Sequence, residues 1–255
     1  MISHISYSAG TRGLHRASPE ANLALLFGFL FAVLAAPGVL IKLGALVLVF
    51  TLATLSGENL FLRSTRFVFI FAAFLFVAQA VSIHDGKTLF SLGIDITDRG
   101  LLFGAQMALR FLVILSSSML FVMVTDPDRF AHALIRLGIP YRYGFILVLA
   151  LRFVPFFRQE LKTVREAQRV RGLSPSIRSF SSLRRALRYT FLPVLVSGLT
   201  RVDSIAISMK GRCFGLHPRR TTAQESRWGS FDWAVIVLCL LLIGVTIVAR
   251  RYAWL

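Results

Sequence analysis

The chain has 255 residues, 56% of them hydrophobic, and a mean hydropathy of +0.70. Soluble domains run at about 45–50% apolar, so the composition excludes an ordinary soluble fold and fits a membrane domain with room for one modest polar module. The formal net charge is +17, and the location of that charge matters more than its total.

In chain order, the first twenty residues are polar, and no small-residue cleavage pattern marks a signal peptide. Residues 21–55 are apolar apart from "APG" at 36–38 and Lys42. That run is too long for one span of about 20 residues, so two short or tilted helices with a turn at Pro37–Gly38 are expected. A polar patch at 56–66 leads to a third span at 67–83. Residues 84–100 read as a loop with a short β-hairpin across it, and 101–125 as a fourth span holding Arg110. In "TDPDRFAHALIRLGIP" (125–140), Phe130, Leu134 and Leu137 share one helical face, with Asp126 as N-cap and Pro127 at the first helical position. Residues 141–157 are apolar but short, and contain Arg152 and Pro155. They read as a weak span or a helix along the membrane surface. The last clear span is 233–249, closed by Arg250 and Arg251.

Residues 158–227 carry fifteen Lys and Arg against four acids, which is +11 of the +17. The positive-inside rule puts this block in the cytoplasm. Arg12, Arg16, Arg63 and Arg66 put the N-terminus and the second loop there too. Residues 141–157 then do not cross, and five crossings leave the C-terminus outside, against Arg250 and Arg251. A dip by 141–157, or an incomplete crossing by 21–55, changes that count. The expected division is 1–125 as N-terminal transmembrane helices, 126–230 as a cytoplasmic or interfacial coupling-helix module, and 231–255 as a C-terminal transmembrane helix. The fold class is all-α, with about five to six transmembrane helices.

Two stretches in the basic block read as amphipathic helices. Phe157, Leu161, Val164, Ala167 and Val170 recur at helical spacing, opposite Arg158, Lys162, Arg165 and Arg169. Glu166 can pair with Arg169 or Lys162. Gly172 fits the C′ position and Pro175 bars continuation, so Arg171 stands at the tip. The second stripe runs through Leu192, Leu195, Val196, Leu199, Val202, Ala206, Met209 and Cys213. It ends near Gly215, with Arg212 in its last turn and Pro218 beyond. Arginine at a helix C-terminus interacts favourably with the dipole by roughly 0.3–1 kcal/mol. Anionic lipid attracts a basic residue by about 1 kcal/mol. Neither effect requires two long apolar faces, which must pack on each other, on the membrane or on a partner.

At these residues the chain resembles the transmembrane T component of energy-coupling factor (ECF) transporters, a branch of ABC importers. The first signature has the form "RF-P------AQ-ARG". Here it is "LRFVPFFRQELKTVREAQRVRG" (151–172), with Arg152, Pro155, Ala167, Gln168, Arg171 and Gly172 in place and Val170 for alanine. The second, "PL…A-EARGYG…RT", corresponds to "PVLVSGLTRVDSIAISMKGRCFGLHPRRT" (193–221). Arg212 matches, while Gly211 replaces alanine, Cys213 replaces glycine and Lys210 replaces the usual acid; Arg220–Thr221 match the downstream pair. "TDPDRFAHALIRLGIP" and "GLHRASPEANLALL" (13–26) are also similar to family stretches. The resemblance implies a multi-pass scaffold in the cell inner (plasma) membrane with a cytoplasmic basic module. It implies two cytosolic ABC ATPase subunits and a membrane-embedded substrate-binding S component as partners. ATP would be bound by those subunits, and this chain would hold no cofactor. Vitamin or transition-metal uptake follows, with the cargo chosen by the S component. By carry-over, Arg171, Gly172, Gln168, Arg212 and Gly211 are the expected ATPase contacts. Leu161, Val164, Leu195, Leu199, Val202 and Ala206 are expected to face the S component.

Other functions fit less well. "DGKT" (85–88) holds the end of a phosphate loop, but position 81, where that motif needs glycine, is Val81. The five histidines are scattered and form no HExxH; Asp126 and Asp128 are explained by capping; Cys213 and Cys239 make no zinc spacing and read as apolar fillers. A non-catalytic subunit is therefore expected. A secondary carrier would use intramembrane charges. Lys42 and Arg110 are the only candidates deep in clear spans, without acidic partners in the same runs, and Lys42 is expected to snorkel. A carrier, or a membrane-anchored docking scaffold outside the ECF family, is the alternative. Few aromatics interleave the basic block, mainly Phe180 and Tyr189, so lipid and protein suit it better than nucleic acid.

Overall fold

The computed structural model describes residues 13–57, 59–82, 88–91, 95–172, 184, 187–216 and 228–252. They form two compact units, 1–138 with 226–255, and 139–225.

The first unit is a helical bundle. Its helices are α1 (Pro19–Ala35), α2 (Val39–Leu55), α3 (Asn59–Ser82), α4 (Asp98–Val124), α5 (Pro127–Arg136) and the C-terminal helix α8 (Ser230–Tyr252). Their ends follow from local chemistry. Ser18 caps α1 by accepting from the Ala21 N–H, with Pro19 opening the helix. The break at Pro37–Gly38 separates α1 from α2, as the spacing predicts. Thr97 caps α4 through the Gly100 N–H, and Asp126 caps α5 through the Asp128 N–H. Antiparallel strands β1 (Thr88–Ser91) and β2 (Asp95–Thr97) form the expected hairpin before α4.

The core gathers where α1, α2, α3 and α4 meet, around Phe29, Val33, Val49, Phe61, Val113 and Met123. Small residues set the closest approaches, as is usual where lipid supplies no hydrophobic drive between helices. A Cβ at Gly28 would stand 2.4 Å from the Cys239 Sγ, so α1 and α8 touch there through glycine. A Cβ at Gly104 would lie 3.0 Å from the Phe76 carbonyl oxygen, where α4 meets α3. Asp232 at the start of α8 accepts from the Ser18 N–H at 2.5 Å and the Gly229 N–H at 2.8 Å. Glu20 pairs with Arg136 at 2.7 Å and accepts from the Trp228 indole N–H at 2.9 Å.

Helix α5 packs on α1 within the first unit. Its buried residues are Ala131 and Ala133, while Leu137 is exposed at the C-cap; small side chains let α5 lie close to α1. Lys42 does not snorkel, and is 1% exposed within the bundle.

The second unit contains α6 (Tyr141–Val170), a π-helical turn (Leu187–Phe191) and α7 (Leu192–Gly211). Residues 141–157 and 157–171, expected as separate pieces, form one continuous helix through Pro155. The ring removes one backbone bond without ending the helix. Spans in α3, α4 and α8, and the segment Leu187–Gly211, are long and apolar enough to cross a membrane; α1 and α2 are shorter apolar helices of 17 residues.

Candidate functional site

Helices α6 and α7 lie antiparallel, and three sets of contacts fix that arrangement. Near one end, Gln168 meets Tyr189 and Thr190. In the middle, a Cβ on Gly198 would stand 2.7 Å from the Phe157 ring, and the Arg201 guanidinium sits 5.6 Å from the centroid of Phe156. At the other end, Phe214 packs on Phe145 with ring centroids 4.6 Å apart and on Tyr141 at 6.1 Å. The C-terminal tip of each helix therefore lies beside the start of the other. From Phe145 to Arg171, α6 spans about 40 Å at roughly 1.5 Å per residue, so the two arginine tips stand at opposite ends of the pair.

At both tips the arginine is followed by a residue with a left-handed backbone. Arg171 is the C-cap of α6, and Gly172 follows with φ 75°, its N–H donating to the Arg169 carbonyl at 3.0 Å. Arg212 is the C-cap of α7. The Cys213 N–H donates to the Lys210 carbonyl and the Phe214 N–H to the Met209 carbonyl, each at 3.0 Å. This pair of bonds is the Schellman motif, whose C′ residue needs a left-handed backbone. Cys213 adopts φ 56°, and is the one non-glycine residue with positive φ among those described. The Cys213-for-glycine difference noted in sequence therefore falls on the position where glycine is most useful. Arg171, Gly172, Gly211 and Arg212 are all exposed.

Gln168 is placed differently from the expectation. It is 7% exposed, its Oε1 accepts from the Thr190 hydroxyl at 3.1 Å, and its Nε2 donates to the Tyr189 carbonyl. Its amide is used inside the chain. The inner face of α6 runs Phe157, Leu161, Val164, Gln168, in steps of four, three and four. Ala167 and Val170, assigned to the apolar stripe, are exposed, Val170 at 89%.

The same geometry sorts the residues expected to face an S component. Leu195, Leu199, Val202 and Ala206 are exposed on α7, together with Leu192 and Val196. Leu161 and Val164 are half-buried on the inner face of α6 and are not part of that free surface. Gly198, Ile205 and Met209 form the less exposed line of α7. Glu166 pairs with Lys162 at 3.9 Å rather than with Arg169. Arg201 and Asp203 are exposed halfway along α7. Each charge costs about 2.5–3.5 kcal/mol at a bilayer centre, which disfavours α7 as a lipid-facing span despite its length. Pro175, Pro218, most of "DGKT" and the Arg220–Thr221 pair lie outside the described residues. Among the described residues no three His, Cys, Asp or Glu side chains group to hold a metal.

A family model described as cobalt transport protein, CbiQ, matches residues 10–223. Several curated relatives align along nearly the whole chain under the name energy-coupling factor transporter transmembrane protein EcfT. The one from Exiguobacterium sibiricum is 27% identical, covering 95% of this chain and 96% of its own length. The one from Thermotoga maritima is 26% identical over 94% of this chain and 90% of its own. The one from Bacillus subtilis is 24% identical, with 96% of each chain covered.

Proposed function

Because the chain belongs to the CbiQ cobalt transport protein family and is a transmembrane component of an energy-coupling factor transporter, we propose that it couples two cytosolic ABC ATPases to a membrane-embedded S component. The observation that carries this reading is the antiparallel pair with an exposed arginine at each far end. Two equivalent motor subunits need two separated docking points, and the pair supplies them about 40 Å apart by helix length. Arginine suits the task, because its fixed fork binds a carboxylate bidentately and so transmits a push in a defined direction. The exposed apolar side of α7, from Leu192 to Ala206, is the surface offered to the S component.

In this reading the first unit anchors the protein in the plasma membrane, and the basic module works on the cytoplasmic side. ATP is bound and hydrolysed by the partner subunits, and the chain is not itself an enzyme. The cargo is a vitamin or a transition-metal ion selected by the S component. The test is Arg171→Glu combined with Arg212→Glu, purified in mild detergent together with the ATPase subunits. The expected result is normal insertion with the ATPases lost from the complex. Retention of stoichiometric ATPases by the double variant would overturn the assignment of these two arginines.

A further inference from the structure

The contacts of Gln168 tie two distant stretches of sequence into one joint. Pro193 has no N–H. An α-helix would pair the Tyr189 carbonyl with the N–H of residue 193, so Pro193 leaves that carbonyl without its helical partner. The chain widens into a π-helical turn over Leu187–Phe191, a feature often found where helices do functional work. The amide of Gln168 donates to the Tyr189 carbonyl, while the Thr190 hydroxyl donates back to the same amide at 3.1 Å.

This joint stands out from its surroundings. Among the described residues of 139–225, those that are buried are Gly144, Val148, Gln168, Thr190 and Gly198. At the end of the pair that carries Arg171, the buried groups are thus the two polar side chains bonded to each other. A directional polar contact of this kind favours one geometry, where apolar contacts are less specific. Gln168 lies three residues before Arg171, less than one turn from the tip.

We propose that Gln168 is a positioning residue, locking the Arg171 tip of α6 to the start of α7 through the carbonyl that Pro193 sets free. A push received at Arg171 then reaches both helices, which turn as a single lever. This rests on the coupling role proposed above and specifies how movement crosses from one helix to the other.

The test uses hydrogen exchange on the complete complex with its ATPases, comparing the ADP-bound state with the state trapped by ATP and vanadate. In the unmodified complex, trapping is expected to change exchange in 162–172 and in 187–196 together. With Gln168→Leu the change stays in 162–172, and basal exchange in 187–196 rises by about tenfold, within the usual range of coupling effects. Adding Pro193→Ala gives the Tyr189 carbonyl a donor within its own helix, which is expected to lower basal exchange in 187–196 while the trapping response stays in 162–172. Thr190→Val, a milder change, is expected to weaken the response, and Thr190→Ser to keep it. A Gln168→Leu complex that still responds in both segments overturns the proposal. So does a double variant that regains the joint response, or identical behaviour of Thr190→Val and Thr190→Ser. If the unmodified complex responds in 162–172 alone, the joint is wrong and the coupling role stands. If it responds in neither segment, the coupling role itself fails.

Discussion

At the residue scale, Cys213 carries a local cost. A left-handed backbone with a Cβ is unfavourable by roughly 1–2 kcal/mol, and glycine gives back part of that through its freedom in the unfolded chain. Cys213→Gly is therefore expected to stabilise the end of α7 by about 0.5–1 kcal/mol. Slower hydrogen exchange at the Phe214 amide, whose bond to Met209 closes the motif, is the measurement. Equal or faster exchange would mean that the left-handed turn at Cys213 is not held in solution. Arg212 is expected to keep its function in this variant, because the change touches only the turn behind it. The same position shows how a degraded signature can preserve its geometry: the arginine and the turn are both present, and only the residue best suited to the turn is missing.

At the element scale, the close approach of α6 and α7 depends on Gly198. Any larger side chain there meets the Phe157 ring. Overpacking of this kind costs typically about 1–3 kcal/mol, so Gly198→Val is expected to splay the pair and reduce ATP-driven uptake. Phe157→Leu in the same chain makes room and is expected to restore it. A Gly198→Val protein with unchanged uptake would show that this crossing does not limit coupling. The helices, the Asp126 cap and the break at Pro37–Gly38 were legible in sequence, since capping residues and apolar runs act locally. The arginines at the two tips were legible for the same reason. The inner face of α6 was harder to read, because Gln168 fills an interior slot that an apolar pattern assigns to Ala167 and Val170. The 3.6-residue period starting from Phe157 does point to 168, but only a partner across the joint explains a polar side chain there. The packed side of α7 was also hidden, because Gly198, which carries no hydrophobic signal, marks it.

At the scale of the whole molecule, two kinds of packing divide the labour. The first unit has a real apolar core and is pinned by charged groups, with Glu20 holding Arg136 and Asp232 holding the start of α1. Among the described residues of the second unit few are buried, and a long apolar helix face is exposed, as a part that is completed by partners would have. Charge follows the same division, since +11 of the +17 lies in 158–227. The most direct test of the coupling claim places a photo-crosslinking amino acid at Arg171 in one protein and at Arg212 in another, within the assembled complex. Each position is expected to cross-link to an ATPase subunit, and a chain carrying both is expected to capture two ATPase copies at once. Cross-links from either tip only to lipid, or to a second copy of this chain, would contradict the account.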